Sequence, residues 1–166
     1  MHEGFFIVRA VTGALMAAHG SQKLFGWFGG YGLDGTGGFF EALGFRPGRL
    51  FAAAAAFSEL IGGVLIPLGF MGPVGPALVL AVMIVAAATV HWHHGLFATS
   101  NGIELPLLYG TIAVALALGG PGVYSLDGLF GLTAFWTPGL RWAALLVGIV
   151  GGAANLAVRR PVPVEA

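Results

Sequence analysis

One apolar run, Leu50 to Phe70, is long enough to cross a bilayer and carries a lone carboxylate, Glu59, near its middle. A hydrocarbon core of about 30 Å takes roughly 20 helical residues. Four further runs meet or approach that length: Phe5 to Leu24, Val74 to Val90, Ile103 to Leu118 and Leu140 to Val158. Five membrane helices are therefore expected. The fourth is short and is closed by Gly119, Gly120 and Pro121.

The composition agrees, with 57% hydrophobic and 8% charged residues, where soluble domains carry about 25% charged. The apolar segments leave no room for a separate soluble domain. A formal net charge of zero offers no basic surface to nucleic acid. Cysteine is absent, which excludes a disulfide relay, a thiolate metal site and a thiol nucleophile. The start, Met1 to Gly4, lacks a basic region and the first run is long enough to span, so no removable signal peptide is expected.

The second and third helices are joined only by Met71-Gly72-Pro73 and must be antiparallel neighbours. The Gly26 to Arg49 connection is rich in glycine and aromatics, including Trp27, Phe28, Tyr31, Phe39 and Phe40, which suits a compact segment folded over the bundle mouth. Alternating helix directions place His19, Lys23, Arg46, Arg49, His91, His93, His94, Asn101, Glu104, Arg159 and Arg160 on one side, A. Side B holds little beyond Arg9, Asp127 and Arg141. Any chemistry is expected on side A, which the excess of positive charge assigns to the cytoplasm. Small residues at four-residue spacing, Ala10, Ala14 and Ala18 in the first helix and Ala144, Gly148 and Gly152 in the fifth, let backbones approach. The latter row offers a contact between copies of the chain.

A carboxylate near the bilayer midplane costs several kcal/mol unless it is paired, wetted or protonated. In the first helix Arg9, Thr12, Met16, His19 and Lys23 form one polar stripe, and Arg9 is the preferred partner for Glu59. Such a pair either locks two helices together or leaves a carboxylate able to exchange a proton with a bound redox ligand. Arg9 and Lys23 have a blander alternative, extending from opposite ends of the helix to the headgroups. His91-Trp92-His93-His94 ends the third helix. Adjacent histidines diverge on a helix and no Glu-x-x-His pair is present, so no metal site is expected. Haem between His19 and His91 is disfavoured because the two lie at different depths. His91 suits a hydrogen-bonding or proton-transferring role at the mouth, or an interfacial anchor. Asn101 and Glu104 open the fourth helix as a cap and a first-turn acid, with a ligand role only if they approach His91 and His19.

The stretches Ala18-His-Gly-Ser-Gln-Lys-Leu-Phe-Gly-Trp-Phe-Gly-Gly30 and Gly32-Leu-Asp-Gly-Thr-Gly-Gly-Phe-Phe40 resemble the DoxX family of small membrane proteins. Glu59-Leu-Ile-Gly-Gly, Thr89-Val-His91, Asn101-Gly-Ile-Glu104-Leu and Gly120-Pro-Gly-Val-Tyr-Ser-Leu-Asp127 extend the resemblance from about Phe5 to Asp127. It implies a compact four-helix membrane core, with relatives linked to quinone reduction by thiosulfate oxidation and to membrane complexes of thiol or oxidant defence. This chain adds a fifth helix and lacks cysteine.

The expected fold is an all-α membrane protein: a DoxX-like four-helix transmembrane bundle over 1–127, then a loop, a fifth transmembrane helix and a short basic tail over 128–166. The leading function is a subunit of a redox system in a bacterial-type inner membrane. It would hold a quinone or similar lipophile and take electrons from a separate partner. His19, Glu59 and His91 are the candidate catalytic residues, and Arg9, Lys23, Trp27, Tyr31, Asn101 and Glu104 the candidate ligand-binding ones, with aromatics around Trp27 and Tyr31 as a lid. The alternatives are a non-catalytic anchor or assembly scaffold, and a small-solute carrier.

Overall fold

The computed structural model describes residues 2–160, which contain seven α-helices and no strand. These are α1 His2–Phe25, α2 Gly32–Ala42, α3 Gly48–Leu68, α4 Val74–Ala86, α5 Glu104–Gly119, α6 Leu126–Leu129 and α7 Pro138–Ala157. α4 continues through a π turn, Ala87–His91, and a 3-10 turn, Trp92–His94. Gly48–Leu68, the continuous Val74–His94 and Pro138–Ala157 are long and apolar enough to cross a membrane, and α5 is a shorter apolar helix. α1 has 24 residues, about 36 Å of helix, and carries the polar stripe expected of it. Each of the five apolar runs thus forms a helix. The end of the predicted tail, 161–166, lies outside the described residues.

The bundle is apolar on its outside. Val11 and Leu15 of α1, Ile61 and Val64 of α3, Leu107 and Leu108 of α5, and Val147 and Val150 of α7 are all exposed, whereas the interior holds Ala52, Ala56, Ala113 and Ala117 with Met16, Val79 and Leu145. Lipid gives apolar side chains no reason to hide, so small residues and close packing hold such helices together. α1 meets α3 through Gly13, Ala17 and Gly20, one face round from the Ala10, Ala14 and Ala18 row. A Cβ on Gly20 would lie 2.6 Å from the Leu60 nitrogen, and one on Gly63 would lie 2.8 Å from the Ala17 Cα. The Gly148 and Gly152 row, expected to join copies, is spent inside the chain on α4. Cβ atoms there would lie 2.6 Å from the Ala77 oxygen and 3.0 Å from the Ala81 oxygen.

Three arginines close helix ends that are otherwise short of donors. Arg9 Nε donates to Ile66 O at 2.8 Å and Nη2 to Pro67 O at 2.8 Å, both in the last turn of α3. Arg9 Nη1 donates to Pro121 O and to Tyr124 O. Arg141 caps the end of α5 through Nη1 to Leu118 O at 2.9 Å. Arg159 Nε donates to Leu43 O at 2.5 Å, just past α2. Asp127 is fully buried and accepts from the Met71 and Gly72 amides at 3.0 and 2.7 Å, while its own amide donates to Gly69 O. Side B is therefore knotted together by Arg9 and Asp127.

The expected Arg9–Glu59 pair is not formed. Seven residues, about 10 Å of helix, separate Glu59 from Ile66, to whose carbonyl Arg9 is bound. Arg9 lies level with the end of α3, out of position for Glu59, and its guanidinium is taken up by the orphan carbonyls there.

Candidate functional site

Glu59 pairs with Lys23. Lys23 lies in the last turn of α1, antiparallel to α3, and its four-carbon stem runs down the contact to place Nζ 2.5 Å from Glu59 Oε2. The Glu59 side chain is 3% exposed and that of Lys23 26%, so the pair reaches open space through the lysine. That space is a cavity of about 250 Å³.

The cavity exists because α3 and α4 touch closely only near side B. There a Cβ on Gly62 would lie 2.9 Å from the Gly75 oxygen, whereas towards side A the facing positions are Ala54 and Ala55 on α3 and Ala81 and Ala86 on α4, too small to fill the gap. Phe39, Phe40, Leu43 and Phe45, from α2 and the turn after it, cover the cavity, and Phe51, Val82, Val85 and Val90 complete its apolar wall. Its polar lining is the Lys23–Glu59 pair, Ser58, Thr89, His91 and Asn155. An apolar hollow with a few convergent polar groups is the usual form of a small-molecule site.

α2 is tied down at several points. Glu41 Oε1 accepts from the Gly48 amide at 3.1 Å and so caps α3, and Thr36 Oγ1 donates to Lys23 O at 3.4 Å. From the far end of the chain, Arg159 bonds Leu43 O and the Arg160 amide bonds Gly44 O at 2.9 Å. The lid is thus fastened by α7.

His91 reaches the cavity because of the π turn. One extra residue in a turn displaces all that follows by about 100° around the axis; by plain α geometry His91 would leave the face shared by Ala86 and Val90. Its Nδ1 lies 2.7 Å from Asn101 O. A carbonyl can only accept, so Nδ1 carries the proton and Nε2 of the neutral ring is left as an acceptor. Asn101 contributes this backbone oxygen from a left-handed conformation, φ 63°. Thr89 Oγ1 is turned back to Val85 O and Asn155 Nδ2 to Gly151 O, which leaves the Asn155 amide oxygen as an acceptor.

Of the candidate catalytic and ligand-binding residues read from the sequence, Lys23, Glu59 and His91 share the cavity and the rest do not line it. His19 is exposed on the α5 side of α1, with Nδ1 3.2 Å from Gln22 Oε1 and its ring edge-on to Tyr109. Trp27 and Tyr31 are exposed, since the chain turns through left-handed Gly26 and Gly32 and lays the other end of α2 over the cavity. Glu104 Oε2 accepts from the Ala98 amide at 2.7 Å and fastens the loop before α5. Arg9 belongs to the side B knot. Sequence reasoning passed over Ser58, Thr89 and Asn155, whose signal was a polar residue inside an apolar run.

A search of curated proteins and of solved structures returns no match. The DoxX family profile matches residues 4–92, from α1 to the end of the π turn. That stretch contains every cavity residue except Asn155, and it stops short of the Asn101–Leu105 and Gly120–Asp127 motifs. With apolar helices long enough to cross a membrane and a family profile covering just over half its length, this integral membrane protein belongs to the DoxX family.

Proposed function

We propose that the protein is a bundle of five transmembrane helices in a bacterial-type inner membrane and serves as a membrane subunit of a redox system. In this reading the cavity beneath α2 holds the head of a quinone or a similar ring-bearing lipophile, and a separate protein partner donates electrons. The observation that carries it is an ion pair and an oriented histidine lining an apolar, aromatic-covered cavity where a purely structural bundle would place leucine or phenylalanine.

A quinone supplies two-electron, two-proton chemistry between its carbonyl and hydroxyl forms. The part of this chain is to bind the ring, hold its charge and move protons. Phe39, Phe40 and Phe51 offer aromatic faces to a ring. The Lys23 ammonium offsets negative charge that develops on an oxygen beside it. His91 Nε2 takes a proton from a hydroxyl or, once protonated, returns it. Glu59 holds the Lys23 ammonium in place.

Mass spectrometry of lipophiles co-extracted with the purified protein tests this. The reading requires a quinone or related ring compound in the wild type and its loss from Ala55→Phe and His91→Leu proteins that still fold. A wild type that retains none, in detergent or nanodisc, leaves the anchor or scaffold role.

A further inference from the structure

The opposite end of the bundle carries a second opening. A groove of about 1050 Å³ runs between the first turns of α1, the end of α5 and the loop that follows it. We infer that this groove binds the phosphodiester headgroup of an anionic membrane lipid, with the Arg141 guanidinium as its principal ligand.

Two guanidiniums stand on either side of the Gly120-Pro121-Gly122 turn. Arg141 is so close to Gly120 that a Cβ there would lie 2.9 Å from Nη2, and Arg9 Nη1 would lie 3.5 Å from a Cβ on Gly122. Both glycines also have positive φ, 80° and 75°. Arg9 is largely spent on four carbonyls. Arg141 is not: it donates through Nε to Trp136 O at 2.8 Å and through Nη1 to Leu118 O at 2.9 Å, and a guanidinium has five N–H groups. Among the described residues no carboxylate pairs with it. Of the two acids in the neighbourhood, Asp127 is taken by the Met71 and Gly72 amides, and Glu3 meets the Tyr124 hydroxyl at 3.5 Å.

A half-buried guanidinium with unspent N–H groups is a fork for phosphate oxygens. Its surroundings decide which phosphate. Phe6, Val8 and Val123 line the groove and are exposed, an apolar rim that suits acyl chains and would be wasted on a soluble anion. The site lies at the other end of the bundle from the ion-pair cavity, so it stands whether or not that cavity holds a quinone.

The test is native mass spectrometry of protein released from nanodiscs of phosphatidylcholine with and without phosphatidylglycerol, beside thermal melting in each. Wild type should retain phosphatidylglycerol about tenfold over phosphatidylcholine and melt higher in its presence, and millimolar inorganic phosphate should not displace it. Arg141→Leu removes the ligand but also the cap on α5. Gly4→Glu and Val123→Glu avoid that problem, since Gly4 has nothing within 4 Å of a built Cβ and Val123 is an exposed loop residue. Each puts a carboxylate in the groove, and each should abolish the preference while melting like wild type in phosphatidylcholine alone. No preference in the wild type, an undiminished preference in both variants, or displacement by inorganic phosphate would overturn the assignment.

Discussion

Lys23 Nζ lies 2.5 Å from Glu59 Oε2, joining the last turn of α1 to the middle of α3 beside the cavity. Breaking a buried pair by removing one partner leaves an uncompensated charge and costs about 3–5 kcal/mol, while replacing both by apolar groups of similar volume is often near neutral. Lys23→Met and Glu59→Gln should therefore each destabilise strongly and the double variant much less. A double-mutant cycle by reversible unfolding in mixed micelles measures this, and an interaction energy near zero would remove the pair from the account. The same cycle on Arg9→Met and Glu59→Gln should be additive within about 0.5 kcal/mol.

Arg9 is expected to matter for stability alone. Its guanidinium serves carbonyls from the end of α3 and from the loop before α6, and a lysine keeps the charge but lacks the planar fork. Arg9→Lys and Arg9→Met should both lower stability by about 3 kcal/mol or more, since several buried acceptors lose a donor worth roughly 1–3 kcal/mol each. Quinone binding in the Lys23–Glu59 cavity, measured below the melting range, should be unaffected.

The α1–α3 contact makes a prediction with its own controls. Gly20→Ala and Gly63→Ala insert a methyl where backbone of the other helix already lies within 3 Å, and overpacking of that kind costs about 1–3 kcal/mol. Gly38→Ala and Gly151→Ala, in α2 and α7, meet nothing within 4 Å and should be neutral or stabilising by up to about 1 kcal/mol. Melting temperatures of the four proteins in one detergent separate the two pairs.

The neutral His91 ring should be the Nδ1–H tautomer, fixed by the Asn101 carbonyl. Nitrogen-15 shifts of selectively labelled histidine read the tautomer directly. A protonated Nε2 in the neutral ring would mean that the loop does not orient His91, and its role as acceptor in the cavity would fail.

The five long helices are legible in the sequence because each is an apolar run of spanning or near-spanning length, and the compact segment over the bundle mouth announces itself by its aromatics, though not as the helix α2. What failed was the pairing of charges. Attraction alone points Arg9 at Glu59, but apolar patterning shows neither that Arg9 is level with the end of α3 nor that the orphan carbonyls there bind a guanidinium. For Lys23 the sequence leaves the headgroups and the bundle interior both open, because its stem length permits either direction. The sequence points to Trp27 and Tyr31 as the lid, but the turn at Gly26 and Gly32 gives that place to Phe39 and Phe40, and such a turn depends on backbone conformation that residue pattern does not carry. The π turn that swings His91 inward leaves no mark in residue pattern, and Asn155 lies far along the chain on a helix outside the matched family region.

The hollow bounded by Lys23, Glu59, His91 and the α2 aromatics stands or falls as a ligand site on one binding experiment. Titration of nanodisc-embedded protein with ubiquinone and with menaquinone, beside an Ala55→Phe variant that fills the cavity from the α3 wall, tests it most directly. The wild-type chain should bind one quinone saturably, and Ala55→Phe none, at a melting temperature close to wild type. Absence of saturable binding in the wild type, or equal binding by the filled variant, would contradict it.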